Sequence, residues 1–128
     1  MPKEFLIKNK IKITYNDDNI FRYTFMPKSN IEIEDVKEMV RIGIELSQNI
    51  DKSANLVDTR EMTFISNEAR NFLASQNPPM LKGIALVINS KIHSGLANLY
   101  LKFSKPKVTT KIFTDIGEAE SWLKAILK

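Results

Sequence analysis

The sequence lacks cysteine altogether and contains only four glycines in 128 residues. Without cysteine, neither a disulfide scaffold nor a thiolate metal site can form. The scarcity of glycine, with no GxGxxG or Walker pattern, argues against a phosphate-cradling loop. No apolar run reaches the roughly 18 residues of a membrane-spanning helix, and the N-terminal stretch is not typical of a signal peptide. We therefore expect a cytoplasmic protein with no transmembrane segment.

The sequence also lacks a recognisable catalytic or metal-binding group. Asp58, Arg60 and Glu61 cluster near the end of a predicted strand, but no nucleophile accompanies them, so a structural ion pair is the favoured interpretation. His93 is the only histidine, and a lone histidine without a neighbouring carboxylate is a weak metal ligand. We predict no catalytic residue, no metal and no cofactor, and thus a protein that is not an enzyme.

Hydrophobic residues make up 43% of the chain and charged residues 27%, which is typical of one globular domain, here residues 1–128. The net charge of +4 is unevenly spread, because residues 82–111 contain six lysines and no acidic residue. The stretch contains no arginine, which argues against nucleic-acid recognition. It predicts either a solvated face or a surface for an anionic partner. The candidate residues of this basic surface are Lys102, Lys105, Lys107 and Lys111.

Hydrophobic periodicity predicts an α/β domain. Residues 11–15 and 21–25 alternate apolar and polar side chains, which is typical of a hairpin, and Phe5–Ile7 is a candidate edge strand. Helical spacing follows over 36–50, 66–73, 92–103 and 115–126, with Asp35 and Glu38 as the capping box of the first helix. Short apolar runs at Asn55–Asp58, 84–88 and 111–114 predict buried strands.

This element order is β-β-α-β-α-β-α-β-α. It predicts a mixed, mostly parallel sheet of about five strands with four main helices. Gly43 within an apolar helical stripe predicts close approach of that helix to the sheet. Trp122 shares a stripe with other apolar residues of the last helix, so we expect it to be buried.

Three segments carry a resemblance to a known family: LVDTREMTFISNEARNFL, GIALVINS and KIFTDIGEAESWL. Together they resemble STAS domains, the SpoIIAA-like fold of bacterial anti-sigma-factor antagonists, and especially the uncharacterised stand-alone members. The resemblance implies a STAS-like domain that acts in signalling as a regulatory or protein-interaction module. It implies a contact surface for an unknown protein partner at the turn and helix start. The corresponding residues are Thr63, Ser66, Asn67, Glu68 and Arg70.

In phosphorylated STAS proteins this turn reads approximately Asp-Ser-Ser-Gly, and its second serine is the regulatory phosphosite. That tetrad corresponds to residues 66–69 of this chain, which places Glu68 at the phosphosite position. The resemblance thus implies a module that is not switched by a kinase. Ser66 is expected to be a helix cap.

Two alternatives of a different class stay open. The first is a carrier of a small apolar ligand or lipid, related in fold to CRAL-TRIO domains. Its pocket would be walled by the apolar third helix, comprising Ile92, Leu96, Leu99, Tyr100 and Phe103. The second is an anionic-surface binder that uses the lysines of residues 82–111. The sequence does not decide whether the chain forms a homodimer.

Overall fold

The computed structural model describes residues 3–89, 95, 97–98 and 100–128. The strands are β1 Lys3–Ile7, β2 Ile11–Tyr15, β3 Ile20–Phe25, β4 Asn30–Ile31, β5 Ser53–Asp58, β6 Phe64–Ile65, β7 Leu81–Val87 and β8 Thr110–Phe113. The helices are α1 Ile33–Leu46, α2 Asn67–Ser75 and α3 Ile116–Ile126, with a π-helical turn at Tyr100–Ser104. Among these residues, no helix is both long and apolar enough to cross a bilayer.

Six strands form one sheet in the order β1-β2-β3-β5-β7-β8. The first two pairings are antiparallel hairpins, and the pairings β3–β5, β5–β7 and β7–β8 are parallel. Helices connect the parallel strands, as crossover connections require. The predicted α/β class and mostly parallel sheet are therefore confirmed.

The number of strands exceeds the predicted five. The sixth strand of the main sheet is the edge strand β1, which confirms the candidate strand at Phe5–Ile7. Four of its residues are exposed, so it lacks the burial pattern that marks a strand in the sequence. Its turn to β2 places Lys8 and Asn9 at positive φ (48° and 56°), a geometry for which the usual sequence signal is Asn-Gly. A separate parallel pair, β4 with β6, has only two residues per strand and leaves no periodic signal.

Helix α1 begins one turn earlier than predicted. Glu32 is its N-cap, and Asp35 is the third helical residue, whose carboxylate accepts a hydrogen bond from the Glu32 backbone N–H at 2.9 Å. The predicted capping box of Asp35 with Glu38 is thus wrong. The Asp35 carboxylate is buried and also accepts a hydrogen bond from Lys10 Nζ at 2.9 Å, which ties α1 to the start of β2.

The two faces of the sheet carry separate hydrophobic clusters. Helices α1 and α2 cover one face, the α1/α2 face, which carries the aromatic side chains of β3. Helix α3 covers the other face, the α3 face, where Ala54, Ala85 and Ala119 lie among larger aliphatic side chains. Gly43 lies against the ring of Tyr23, which confirms the predicted close approach of α1 to the sheet.

The predicted third helix is described only in part. Ile92, Leu96 and Leu99 lie outside the described residues, as does His93. Gly95, Ala97 and Asn98 are helical, and the π-helical turn Tyr100–Ser104 follows. Phe103 is 75% exposed, so its predicted role in walling a pocket is wrong, whereas Tyr100 is half-buried and faces the α1/α2 face of the sheet.

Candidate functional site

The candidate contact surface is the segment from Thr63 to Arg70, where β6 passes into α2. Ser66 is the N-cap of α2, and its hydroxyl accepts a hydrogen bond from the Ala69 backbone N–H at 3.1 Å. A serine in this position satisfies one of the otherwise unpaired N–H groups of the first helical turn. The predicted capping role of Ser66 is confirmed.

Exposure divides this segment into outer and inner residues. Thr63, Asn67 and Glu68 are exposed, and Ala69 is buried against the sheet. Glu68 therefore places a carboxylate in solvent at the positive end of the helix dipole, where an anion is favourable.

Phe64 is an exposed aromatic residue in this segment that the sequence reasoning did not select. Its side chain is 51% exposed, although it lies in β6 next to the buried Ile65. Alternation along the pair Phe64-Ile65 would have indicated that one of the two faces solvent, but two residues are too few for a periodic signal.

The backbone beneath Phe64 is held by the β4–β6 pair. The carbonyl of Ser29 accepts hydrogen bonds from the N–H groups of Thr63 (2.9 Å) and Phe64 (3.2 Å). The Ser66 N–H donates to the carbonyl of Ile31 at 3.0 Å. These three bonds fix the entry into α2, so the exposed side chains project from an ordered backbone.

Arg70 is oriented towards its own segment. Its Nη1 donates a hydrogen bond to the backbone carbonyl of Ile65 at 2.8 Å, and its Nη2 donates to the side-chain oxygen of Asn67. The guanidinium thus stabilises the turn internally. Of the five predicted contact residues, Thr63, Asn67 and Glu68 are the most accessible, and Ser66 and Arg70 are half-buried supports.

The charged cluster at the end of β5 is an ion pair, as the sequence analysis favoured. Arg60 Nε and Nη2 donate to the two carboxylate oxygens of Asp58 at 2.9 and 2.8 Å. This bidentate pairing raises the pKa of Arg60 above its ordinary value. Within the described part of the chain, no three histidine, aspartate or glutamate side chains converge in a way that could hold a metal ion.

The four lysines of the candidate basic surface are all exposed, but they do not lie on one side of the sheet. Lys102 belongs to the π-helical turn, and Lys105 and Lys107 follow in the connection to β8. Lys111 lies within β8, one residue after Thr110, which faces the α1/α2 face. Its ammonium lies 5.4 Å from the ring centre of Phe113, on the α3 face. The predicted surface thus separates into a group of three and a single lysine.

A model of a protein family described as a domain of unknown function, DUF7793, matches residues 13–127. The chain belongs to the DUF7793 family. No curated protein matches it. Among solved structures, this DUF7793 chain is similar to an uncharacterised protein of the DUF3478 family with a SpoIIAA-like fold from Shewanella loihica PV-4. The two chains are 17% identical with a TM-score of 0.63, and the match covers 96% of this chain and 95% of the other.

At this level of identity the likeness shows the fold. The SpoIIAA-like fold is the STAS-like fold that the sequence resemblance implied, so that prediction is confirmed. The contact residues and the basic surface stay predictions.

Proposed function

We propose that this protein is a non-catalytic regulatory or protein-interaction module of STAS type, acting in bacterial signalling in the cytoplasm. It contacts a protein partner through residues 63–70. The observation that carries the proposal is the half-exposed ring of Phe64, which stands beside Thr63, Asn67 and Glu68 on a backbone fixed by the β4–β6 pair.

An aromatic side chain on an ordered backbone is a typical anchor in protein interfaces. Binding is favoured when a partner covers this apolar ring and removes it from water. Little conformational entropy is lost on binding, because the β4–β6 hydrogen bonds already hold the backbone of Phe64. The neighbouring Glu68 adds a charge that favours partners with a basic surface opposite it.

The module is not switched by phosphorylation at this turn. Ser66 is the serine nearest to the family phosphosite, and its hydroxyl is already engaged as a helix cap. Glu68 supplies a permanent negative charge in the first turn, where a phosphoserine would introduce nearly two charges on modification. We therefore propose a module that stays in one state.

The test is affinity capture from the native cells with wild-type protein and with Phe64→Ser. The matched control is Phe5→Ser, because Phe5 is another exposed aromatic residue, on the edge strand β1. We expect one or more proteins captured by the wild type and by Phe5→Ser, and lost with Phe64→Ser. Equal capture by all three variants would contradict the proposed surface.

The absence of a switch is tested by mass spectrometry of the protein isolated from its native cells. We expect no phosphate on Thr63 or Ser66. Substantial phosphate on Ser66 would contradict a one-state module. Once a partner is known, Glu68→Arg should weaken its binding more than Glu68→Gln, and unchanged affinity in both would reduce Glu68 to a helix-stabilising role.

A second candidate function is binding to an anionic surface through Lys102, Lys105 and Lys107. Its support is the exposure of Leu101 (37%) and Phe103 (75%) beside these lysines, since apolar side chains flanked by lysine are typical of contacts with anionic lipid. Co-sedimentation with phosphatidylserine vesicles, compared with phosphatidylcholine vesicles, tests it. Binding to the former that weakens with salt is the expected result, and equal retention on both would contradict it.

A further inference from the structure

A cavity of about 110 Å³ lies between the α1/α2 face of the sheet and the helices that cover it. Its walls are mainly apolar and come from both layers. They include Phe21, Met39, Leu73, Ile84, Leu86 and Tyr100. The sheet floor and the helical side chains above it are therefore not in full contact.

Side chains of the inner strands that face this cavity are incompletely buried. Ile84 and Leu86 of β7, and Asn55 of β5, are only half-buried although both strands have a neighbour on each side. On the opposite face of β7, Ala85 and Val87 are fully buried. The incomplete burial thus belongs to the cavity side of the strand and not to its position in the sheet.

One wall of the cavity is formed by a buried tyrosine, Tyr23, whose hydroxyl has no hydrogen-bond partner among the described residues. Tyr23 is 3% exposed, and its hydroxyl lies beside the backbone of Gly43, a cavity residue of α1. Buried hydroxyl groups in proteins are ordinarily paired, so an unpaired one that lines a cavity is placed to pair with a ligand.

A second polar group, the Asn55 side-chain amide, faces the same cavity. It projects from the middle of a central strand, at the register position between Phe21 and Ile84. A side-chain amide among aromatic and aliphatic residues does not add to the hydrophobic stabilisation of a core. Among the described residues, the amide of Asn55 has no hydrogen-bond partner. Together the two groups give an apolar cavity with a polar side.

We infer that this cavity binds a small, uncharged, mostly apolar molecule whose single polar group pairs with the hydroxyl of Tyr23. This site lies on the inner side of the segment 63–70, since Ile65 and Arg70 line it, whereas Thr63, Phe64, Asn67 and Glu68 of the proposed contact surface do not. A ligand here would complete the packing between the sheet and helices α1 and α2. It would also give the Tyr23 hydroxyl a hydrogen-bond partner.

The chemistry of the walls sets the ligand class. Arg70 is the one charged residue among the described lining residues, and its guanidinium is engaged by the Ile65 carbonyl and the Asn67 side chain, so it is not free to pair with an ionic ligand. Burial raises the pKa of Tyr23, and burial raises the pKa of Tyr100 to about 12, so both phenols are neutral donors near pH 7. An apolar cavity of roughly 150 Å³ accepts benzene, so the volume here suits a molecule of about one aromatic ring.

The test is an NMR titration of the protein with phenol and, separately, with benzene. Both probes match the cavity in size, and only phenol can pair with a hydroxyl. We expect saturable shifts at amides of β5 and β7 with both probes at millimolar concentration. Tyr23→Phe should weaken phenol binding by about 5- to 10-fold, the usual worth of one hydrogen bond, and leave benzene binding unchanged.

Two further variants make the result specific. Tyr15→Phe removes a tyrosine hydroxyl outside the cavity and should change neither affinity. Leu86→Trp fills the cavity and should abolish both, provided that circular dichroism shows a folded protein. Absence of saturable binding to the wild type would overturn the inference, and so would a phenol affinity that Tyr23→Phe leaves unchanged. The Tyr23→Phe result stands even if Leu86→Trp does not fold.

Discussion

The two faces of the central sheet differ in how completely they are packed. On the α3 face, Ala85, Val87 and Leu123 have no exposed surface. On the α1/α2 face of the same strand, Ile84 and Leu86 are half-buried beside a cavity of about 110 Å³. Because these side chains project from the two faces of the same strand, the difference in their burial arises from the helices and side chains that cover each face.

Close contact between α3 and the sheet accounts for the complete burial on the α3 face. On the α3 face, the small residues Ala85 and Ala119 lie among larger apolar side chains. At Gly83, even a methyl group would come within 2.8 Å of Ile126 Cδ1, so α3 packs directly on the strand. Arg22 joins this packing, because its Nη2 lies 2.9 Å from the carboxylate of Glu120 in α3. On the α1/α2 face, the aromatic side chains of β3 and the helices above them leave a cavity. The α3 face is thus suited to stability, and the α1/α2 face leaves room for a ligand.

The largest expected effect is at the centre of the α3 face. Leu123→Ala should lower the free energy of unfolding by about 3–4 kcal/mol, because it removes fully buried methyl groups and leaves a void. Leu86→Ala makes the same chemical change on the α1/α2 face. It should cost no more than about half as much, since that side chain is half-buried and already borders a cavity.

Urea unfolding followed by circular dichroism measures both free energies. The contrast between the faces holds if the Leu123 variant is clearly the less stable of the two. Equal losses in the two variants would show that the cavity is closed in solution.

Trp122 provides a smaller and graded test of the α3 face. The sequence predicted burial, but its ring is half-buried at the margin of the α3 face, 5.7 Å from the ring of Phe113. Trp122→Ala should therefore cost about 2 kcal/mol, below the range for a fully buried aromatic residue. Phe103→Ala, at an exposed ring, should change stability by less than about 0.5 kcal/mol in the same urea series. A loss of stability as small as this for Trp122→Ala would show that Trp122 does not help to pack α3 on the sheet.

Much of this fold could be predicted from the sequence because its strong signals are periodic. The alternation of Phe21, Tyr23 and Phe25 marks β3, and all three are buried as expected. Weak signals failed where tertiary contacts decide the structure. Strand β1 is exposed and joined to β2 by a turn without glycine, so the sequence marked it only as a candidate edge strand. The predicted cap of α1 was wrong because Asp35 binds the Glu32 backbone and Lys10.

The candidate sites were harder to predict than the fold. The cap at Ser66 follows a local rule, and the structure agrees with it. Phe64 could not be selected, because its exposure depends on the pairing of two very short strands distant in sequence. The cavity likewise depends on how far helices lie from the sheet, which no pattern of residue types records. Lys111 was grouped with the other lysines by proximity in sequence, although strand alternation turns it to the α3 face.

Tyr23→Phe tests the α1/α2 face through pH. Burial raises the pKa of Tyr23 above its value in the unfolded chain, so the folded state retains this proton more tightly. The resulting stability is fully present below about pH 10 and is lost as the pH rises from there towards the folded-state pKa.

We expect wild-type stability in urea to fall more steeply than that of Tyr23→Phe above about pH 10, where a tyrosine of the unfolded chain loses its proton and the buried Tyr23 retains it. Near pH 7, where no hydrogen bond of the hydroxyl is lost, the variant should match the wild type within about 1 kcal/mol. Tyr15→Phe is the control for loss of one phenol. Parallel pH curves for all three proteins would contradict a buried, unpaired hydroxyl at Tyr23.

The smallest effects on stability are expected from substitutions of the exposed lysines. These substitutions compare the group Lys102, Lys105 and Lys107 with Lys111, which lies on the α3 face. Changing Lys102, Lys105 and Lys107 together to Gln should leave the free energy of unfolding within about 0.5 kcal/mol per site, because all three are exposed. Lys111→Gln should cost up to about 0.5 kcal/mol, since its ammonium lies over the ring of Phe113. Retention on an anionic resin, measured against salt, separates the two groups by charge. The triple variant should elute at a clearly lower salt concentration than the wild type, whereas Lys111→Gln should elute at nearly the same salt concentration as the wild type. If Lys111→Gln alone shifts elution as far as the triple change, the four lysines act as one surface, and their separation by the sheet has no consequence for binding.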